Sequence, residues 1–316
     1  MDADALTIRN LLVRDRAGRL LLQVPEFSLA HGEVCGVYGA AVDGVNLFLG
    51  CAAGLCRPTQ GSIHVYGREL HASFLDTYPV GVLPREGGLF PDFTAGANLK
   101  LALRFSMSSR SSRQKKKQQF TRILSLLELE YWMQTQANQL PVGVVQRLAL
   151  ACALVHEPRL LVADDPWGRA DTSSRELIEH ALREHCDRGN TLLFTSPREE
   201  EIIGLSSEIC LFSRSALVAR GTLDHLRQYL GTQETIVVRV QEQSSALVER
   251  LSALSGVLGC EVAGSVVTIQ ASPGAIRLTR LAEHVQALGL ELLDMQIRKP
   301  GLSDIYAAVC DDGTAG

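Results

Sequence analysis

Between Val34 and Leu55 the chain reads as an apolar strand, a glycine-bounded turn and an apolar helix, and that order restricts the fold more than any other stretch. The strand is Val34 to Tyr38, announced by the turn His31-Gly32-Glu33, and the turn itself is GAAVDGVN, Gly39 to Asn46. A helix is expected from Val45 to Leu55, with Gly54 near its end and Arg57-Pro58 as the stop. Short strands precede this unit at Leu6 to Arg9 and Leu20 to Val24, and follow it at Gly61 to Tyr66 and at Val80 to Leu83, where Pro84 ends the run. Farther on, apolar runs at Leu160 to Ala163, Thr191 to Thr195 and Ile209 to Phe212 alternate with helical patterns at Ser173 to Cys186 and Glu199 to Leu205. Such alternation predicts an α/β domain with a largely parallel sheet.

The stretch from about Phe93 to Val155 breaks the alternation. It carries helical periodicity and almost no strand signal, as at Phe120, Ile123, Leu124 and Leu127, so an inserted helical subdomain is expected. Just before that periodic set, Arg110 to Lys117 carries Arg113 and three consecutive lysines; a solvated surface is the plain reading, attraction to an anionic leaflet the sharper one. After a helix near Asp224 to Leu230, closed by Gly231, a new module begins. Its strand, helix, strand, strand, helix, strand order, from Thr235 to Ile297, predicts a small split-βαβ sandwich. The expected division is therefore a main domain over residues 1–232, with its helical subdomain at about 93–155, and an accessory domain over 233–316.

Composition bears on partners. A net charge of −4 argues against a general nucleic-acid binder. Asp2 and Asp4 stand where a secretory leader would be basic, and the longest apolar runs fall short of the ~20 residues of a membrane span. A cytoplasmic chain is expected, meeting the membrane only through partners. The eight cysteines sit singly in apolar segments without CxxC pairs, which reads as buried thiols rather than zinc ligands.

Ligands of open α/β sheets bind beyond the carboxyl ends of the strands, so the turns after Tyr38, Pro84, Ala163 and Thr195 are where chemistry is expected. Gly39 and Gly44 fit the glycines of the phosphate-loop pattern GxxxxGK[ST], whereas Val45 and Asn46 stand in the places of its lysine and hydroxyl. Five segments, taken in order, resemble those of ABC transporter ATP-binding subunits. GEVCGVYGAAVDG resembles the phosphate-loop region, GVLPREGGLFPDFTAGANL the Q-loop and its helix, and LPVGVVQRLALACALVHEP the signature segment. RLLVADDPWGRAD is similar to the Walker B strand with the D-loop, and LLFTSPREEE to the H-loop strand. GTLDHLRQYL, the sandwich and KPGLSDIYAAV resemble the tail of subunits serving drug- and polysaccharide-type exporters.

The resemblance implies a P-loop NTPase fold of ABC type, α/β, with the helical insertion and a small C-terminal α+β domain. It also implies ATP and Mg2+ as ligands if the site is competent and none otherwise, with Asp164 and Asn46 as the metal-side residues. The partners it implies are membrane-spanning transporter subunits and a homo- or heterodimer with another ABC ATPase subunit. The departures are as informative. Arg14, Asp15 and Arg16 replace the aromatic that would stack on adenine; Val45 replaces the phosphate-binding lysine; Asp43 adds negative charge beside the phosphate path. Arg85 takes the Q-loop glutamine position and has no acceptor for a metal. Asp164 fits the Walker B aspartate, Asp165 stands one methylene short of the catalytic glutamate, and Pro197 replaces the H-loop histidine. In the signature, Leu140, Pro141 and Gly143 belong to LPVGV in place of LSGGQ, and Pro141 lacks both hydroxyl and N–H.

The expected function is a cassette subunit of a membrane transporter that has become a pseudo-ATPase, coupling or scaffolding its partners. The alternative is a working ATPase that uses Arg85 for charge and Asp165 as base. Ordinary α/β packing without any ATP site would explain each turn singly but not their shared order. A Rossmann site is disfavoured because Gly39 to Gly44 lacks the GxGxxG spacing.

Overall fold

The computed structural model describes residues 4–70, 80–106, 113–229, 234–241, 245–272, 275–287 and 291–312. The acidic Asp2, the start of the basic run at 110–112 and the helix stop at Gly231 lie outside the described residues. The chain forms two compact units, Met1–Thr222 and Leu223–Gly316.

The first unit opens with β1 (Leu6–Arg14), β2 (Leu20–Leu29), β3 (Val34–Tyr38), α1 (Val45–Ala52), β4 (Gln60–Val65), β5 (Arg68–Glu69) and β6 (Val80–Leu83). Three helices follow, α2 (Ala95–Ser106), α3 (Arg113–Leu126) and α4 (Val142–Leu154), where the sequence predicts a helical insertion. The unit closes with β7 (Leu160–Asp164), α5 (Thr172–Asp187), β8 (Thr191–Thr195), α6 (Glu199–Leu205), β9 (Glu208–Ser213) and β10 (Ala216–Gly221). Its ten strands make one mixed sheet in the order β5-β4-β1-β2-β10-β9-β3-β8-β7-β6.

Within that sheet β9, β3, β8, β7 and β6 run parallel. Their sequences show why: β8 is buried at every residue, and β3 and β7 are buried at all but the last. Strands covered on both faces need continuous apolar runs. The antiparallel β1 and β2 mix buried with exposed positions, as one-sided strands do. Strand β10 escaped the sequence reading because Ala216 to Gly221 has neither alternation nor a continuous apolar run; its pairing with β9 defines it.

Helix α1 is fixed to the sheet by Phe48, which is fully buried with its ring centroid 5.1 Å from Phe27 and 4.8 Å from Phe212. Helix α4 is buried almost all round. Helix α5 is capped by Asp171, whose carboxylate accepts the Ser174 N–H at 2.8 Å, and buries Ile178, Ala181, Leu182 and His185 at helical spacing. His185 places Nε2 3.3 Å from the Thr191 carbonyl oxygen, which can only accept, so Nε2 carries a proton. Burial, chiefly, lowers its pKa from 6.5 to about 4.

The second unit contains α7 (Leu223–Tyr229), β11 (Glu234–Val240), α8 (Ser245–Ser252), β12 (Val257–Ala263), β13 (Val266–Ala271), α9 (Leu278–Ala287), β14 (Leu292–Arg298) and α10 (Leu302–Asp312). The expected strand-helix alternation is present, and the sheet runs β12-β13-β11-β14 with every pairing antiparallel. Its core joins Ile236 and Val238 of β11 to Leu247 and Leu251 of α8 and to Leu281 and Val285 of α9. Helix α7, on the first-domain side of the boundary expected at 232, groups here because it packs beside α10 and Arg227 Nε donates to the Pro300 carbonyl at 2.8 Å. No helix among the described residues is long and apolar enough to cross a membrane.

Replacing Phe48 with alanine is expected to lower unfolding free energy by about 3–5 kcal/mol in a urea titration, because the cavity opens under α1. A second expectation concerns acid. Because the folded pKa of His185 lies below its unfolded value, the unfolded chain takes up the proton first, and stability falls as pH drops from 6.5 toward about 4. The loss is expected to reach about 2–3 kcal/mol and to shrink in a His185→Gln variant followed by the same titration at several pH values.

Candidate functional site

Parallel strands ending side by side bring their following turns together, and here those are the turns after Tyr38, Leu83, Asp164 and Thr195. Gly39 and Gly44 are where the backbone demands them. A Cβ on Gly39 would lie 2.6 Å from the Phe212 carbonyl oxygen, and Gly44 combines φ +85° with a Cβ position 2.9 Å from the Leu21 carbonyl oxygen. Between them Ala41–Asp43 winds into a single 3-10 turn. Asp43 is buried, and its carboxylate accepts the Ala40 N–H at 3.0 Å and the Arg214 N–H at 2.7 Å. The second bond crosses to the β9-β10 hairpin, whose turn residues Arg214 and Ser215 both have positive φ, +50° and +65°. The acid thus satisfies amides of its own chain and holds a turn built from residues that resist that conformation.

Val45 is 4% exposed and belongs to the apolar core with Phe48, Leu22 and Phe212; its Cγ2 lies 3.1 Å from where a Gly39 Cβ would be. Asn46 is exposed on the first turn of α1.

Across the sheet, the β6, β7 and β8 ends form one polar cluster. Asp164 accepts the Thr195 hydroxyl at 2.8 Å and meets the Arg85 guanidinium at 3.4 Å, with side-chain exposures of 16% for the acid and 51% for the arginine. A pair this exposed adds at most about 1 kcal/mol to stability, but it places a cation beside the carboxylate. Asp165 has φ +52°, and its carboxylate accepts the Gly168 N–H at 3.0 Å, which closes the turn after β7. Its N–H is bound by the Thr195 hydroxyl at 3.0 Å, and its carbonyl accepts Gln146 Nε2 at 3.2 Å. Thr195, which sequence reasoning did not single out, therefore joins both aspartates; a buried threonine ending an apolar strand was the available signal.

Pro197 is exposed on the turn between β8 and α6. Beside it, buried Ser196 donates to Glu201, and Glu201 in turn receives the Arg175 guanidinium from α5. The segment from Leu140 to Gly143 stands at the start of α4, with Leu140 buried and Pro141 as an exposed N-cap without a side-chain cap. Gly143 presses on α5, where a Cβ would meet Ser174 Oγ at 2.5 Å and Asp171 Oδ2 at 2.9 Å. Gln146 ties the same helix to the β7 turn, adding a bond to the Pro166 carbonyl at 2.9 Å. Trp167 is an anchor, 2% exposed, with its ring 5.8 Å from Phe194. Among the described residues no group of three or more His, Cys, Asp or Glu is placed to hold a metal ion.

This strand-end arrangement invites comparison with known proteins. The ABC transporter family model matches residues 22–168. The Nod factor export ATP-binding protein I of Burkholderia orbicola (strain AU 1054) is 32% identical over 228 residues, 70% of this chain and 72% of that protein. The chain belongs to the ABC transporter ATP-binding subunits. A second Nod factor export ATP-binding protein I, from Rhizobium sp. (strain N33), is 29% identical over 296 residues, 91% of each chain. The sulfate/thiosulfate import ATP-binding protein CysA of Mesorhizobium japonicum (strain LMG 29417 / CECT 9101 / MAFF 303099) is 28% identical across 72% of this chain and 69% of its own length. Among solved structures, an ATP-binding subunit of an ABC transporter superposes with a TM-score of 0.66 at 21% identity, covering 72% of this chain and 93% of that one. The dimeric cassette MJ0796 gives 0.62 at 22% identity over 69% and 98%. The cassette fold is thereby established for the first unit.

Truncating Asp43 to alanine in this cassette strands two amide donors in a buried turn, and a loss of about 1–3 kcal/mol in unfolding free energy is expected from chemical denaturation. Thr195→Val removes the hydroxyl shared by Asp164 and Asp165 and is expected to cost a similar amount, whereas Thr195→Ser, tested alongside, should retain most of the stability.

Proposed function

We propose that this subunit is a pseudo-ATPase of a membrane ABC transporter, a cassette that couples or scaffolds membrane-spanning subunits and a second ATP-binding subunit without turning over ATP itself. The observation that carries the reading is the Arg85 guanidinium set on Asp164, a cation where the family's magnesium-side carboxylate would need to be open. The other strand-end groups support it. Asp43 is a buried negative charge that already receives an amide of the phosphate-type loop; Val45 has its side chain in the core; Asp165 is committed to Gly168. These residues do not fit a magnesium-bound triphosphate, and no catalytic step is assigned to them. Gly39, Gly44, Asn46 and Pro197 are read as remnants of the loop geometry, and Leu140, Pro141 and Gly143 as a signature segment serving as a helix start and a packing surface.

Alignment length favours the exporter type. The Nod factor export relative from Rhizobium aligns over 91% of this chain, the sulfate importer over 72%. The dimeric state named for a structural neighbour supports pairing with a like subunit. Such a subunit would lie at the inner face of the cell membrane through its partners, and the proposed division leaves the cassette and the smaller C-terminal unit as separate modules.

Titration calorimetry of the purified chain with ATP and magnesium is expected to give no binding heat up to millimolar nucleotide, and no phosphate release in a parallel turnover assay. Micromolar binding that weakens in Asp164→Asn would instead favour a working ATPase with unusual site residues.

A further inference from the structure

The basic run singled out in the sequence takes no part in the strand-end cluster. Its described residues form the first turn and more of α3, with Arg113, Lys115 and Lys117 exposed and Lys116 half-buried. That is the unfavourable end of a helix for cations. The first turn of α3 holds no acidic residue, so the positive pole of the peptide dipoles and the four basic side chains reinforce one another. Arg113 and Lys117 are also four residues apart, and Arg113 and Lys116 three, so like charges neighbour each other along the helix surface.

Compensation is thin. Lys115 reaches Glu157 at 3.4 Å, but among the described residues no carboxylate lies within ion-pair distance of Arg113, Lys116 or Lys117. The rest of the chain has the opposite bias, with a net charge of −4 overall. The start of α3 is therefore a local excess of positive charge on a chain of net negative charge, a surface to which an external anion is attracted.

We propose that the N-terminal turn of α3 is an electrostatic contact for an anionic phospholipid surface. The inference rests on the reading of the chain as a membrane-transporter subunit, but its test does not involve nucleotide. A bilayer suits the turn better than an acidic peptide does. The cations are long, exposed at all but Lys116, and grouped without an exposed large apolar side chain among them, so they offer charge density without an anchor to fix one sequence. A surface of many equivalent negative headgroups answers such a field, and each basic residue near it strengthens adsorption about fivefold.

The test is cosedimentation of the full chain with phosphatidylcholine vesicles, with and without phosphatidylserine, at about 0.1 M salt, where the screening length is about 10 Å. Adsorption is expected only with phosphatidylserine and is expected to fade as salt rises. The triple variant Arg113→Gln, Lys116→Gln, Lys117→Gln is expected to lose on the order of a hundredfold in partitioning. Its thermal midpoint should be unchanged or higher, since like-charge repulsion at the helix start is relieved; this separates lost contact from lost fold. The charge-keeping triple Arg113→Lys, Lys116→Arg, Lys117→Arg is expected to adsorb like the unaltered chain. Indifference of the unaltered chain to phosphatidylserine, or undiminished adsorption of the glutamine variant, would overturn the proposal. Retention on immobilised polyglutamate with no vesicle adsorption would overturn it in favour of an acidic protein segment. The nucleotide titration is read separately, so ATP binding with vesicle adsorption intact would fault the pseudo-ATPase reading and leave this one standing.

Discussion

Burial of the parallel strands on both faces is the constraint from which the rest of the first unit follows. Strands β3, β7 and β8 leave little room for a polar side chain between their ends, so polar chemistry is displaced to where they start and stop. Asp164, Thr195 and the loop from Gly39 all stand at such stopping points, and the parallel registers make them neighbours although they are far apart in sequence. The Phe27-Phe48-Phe212 cluster then fixes α1, and with it the loop, against the same sheet.

That displacement explains which parts of the molecule are legible in the sequence. Short, mainly apolar runs mark Val34–Tyr38, Val80–Leu83 and Thr191–Thr195 residue for residue, the first closed by Gly39 and the second by Pro84. The antiparallel β1 and β2 run five residues beyond their apolar beginnings, because pairing with a neighbour and not side-chain pattern carries them to Arg14 and Leu29. Strand β10 is defined the same way. Site positions such as Gly39, Val45, Arg85 and Asp164 were marked out by order and spacing. Their contacts were not. Nothing local indicates that Asp43 turns back onto Ala40 and across to Arg214, or that Thr195 serves both aspartates, since each depends on how distant strands are laid side by side.

A common theme links these contacts. Where related cassettes are named for binding ATP, this chain sets charges of its own against one another or against its own amides: a guanidinium on Asp164, a backbone N–H on Asp165, loop and hairpin amides on Asp43. Each arrangement contributes modestly to stability, and together they tie the strand ends to one another.

The Asp43 bridge limits what the loop before α1 can accept. A lysine placed alone at position 45 would enter a filled apolar core, and a small residue placed alone at 43 would leave the Ala40 and Arg214 amides unpaired under a hairpin of two left-handed residues. Either change made alone therefore lowers stability, the first by crowding a packed core and the second by removing an acceptor from a buried turn. Positions 43 and 45 are thus coupled through the loop they share, and a change at one is felt by the packing or the hydrogen bonds that the other holds in place.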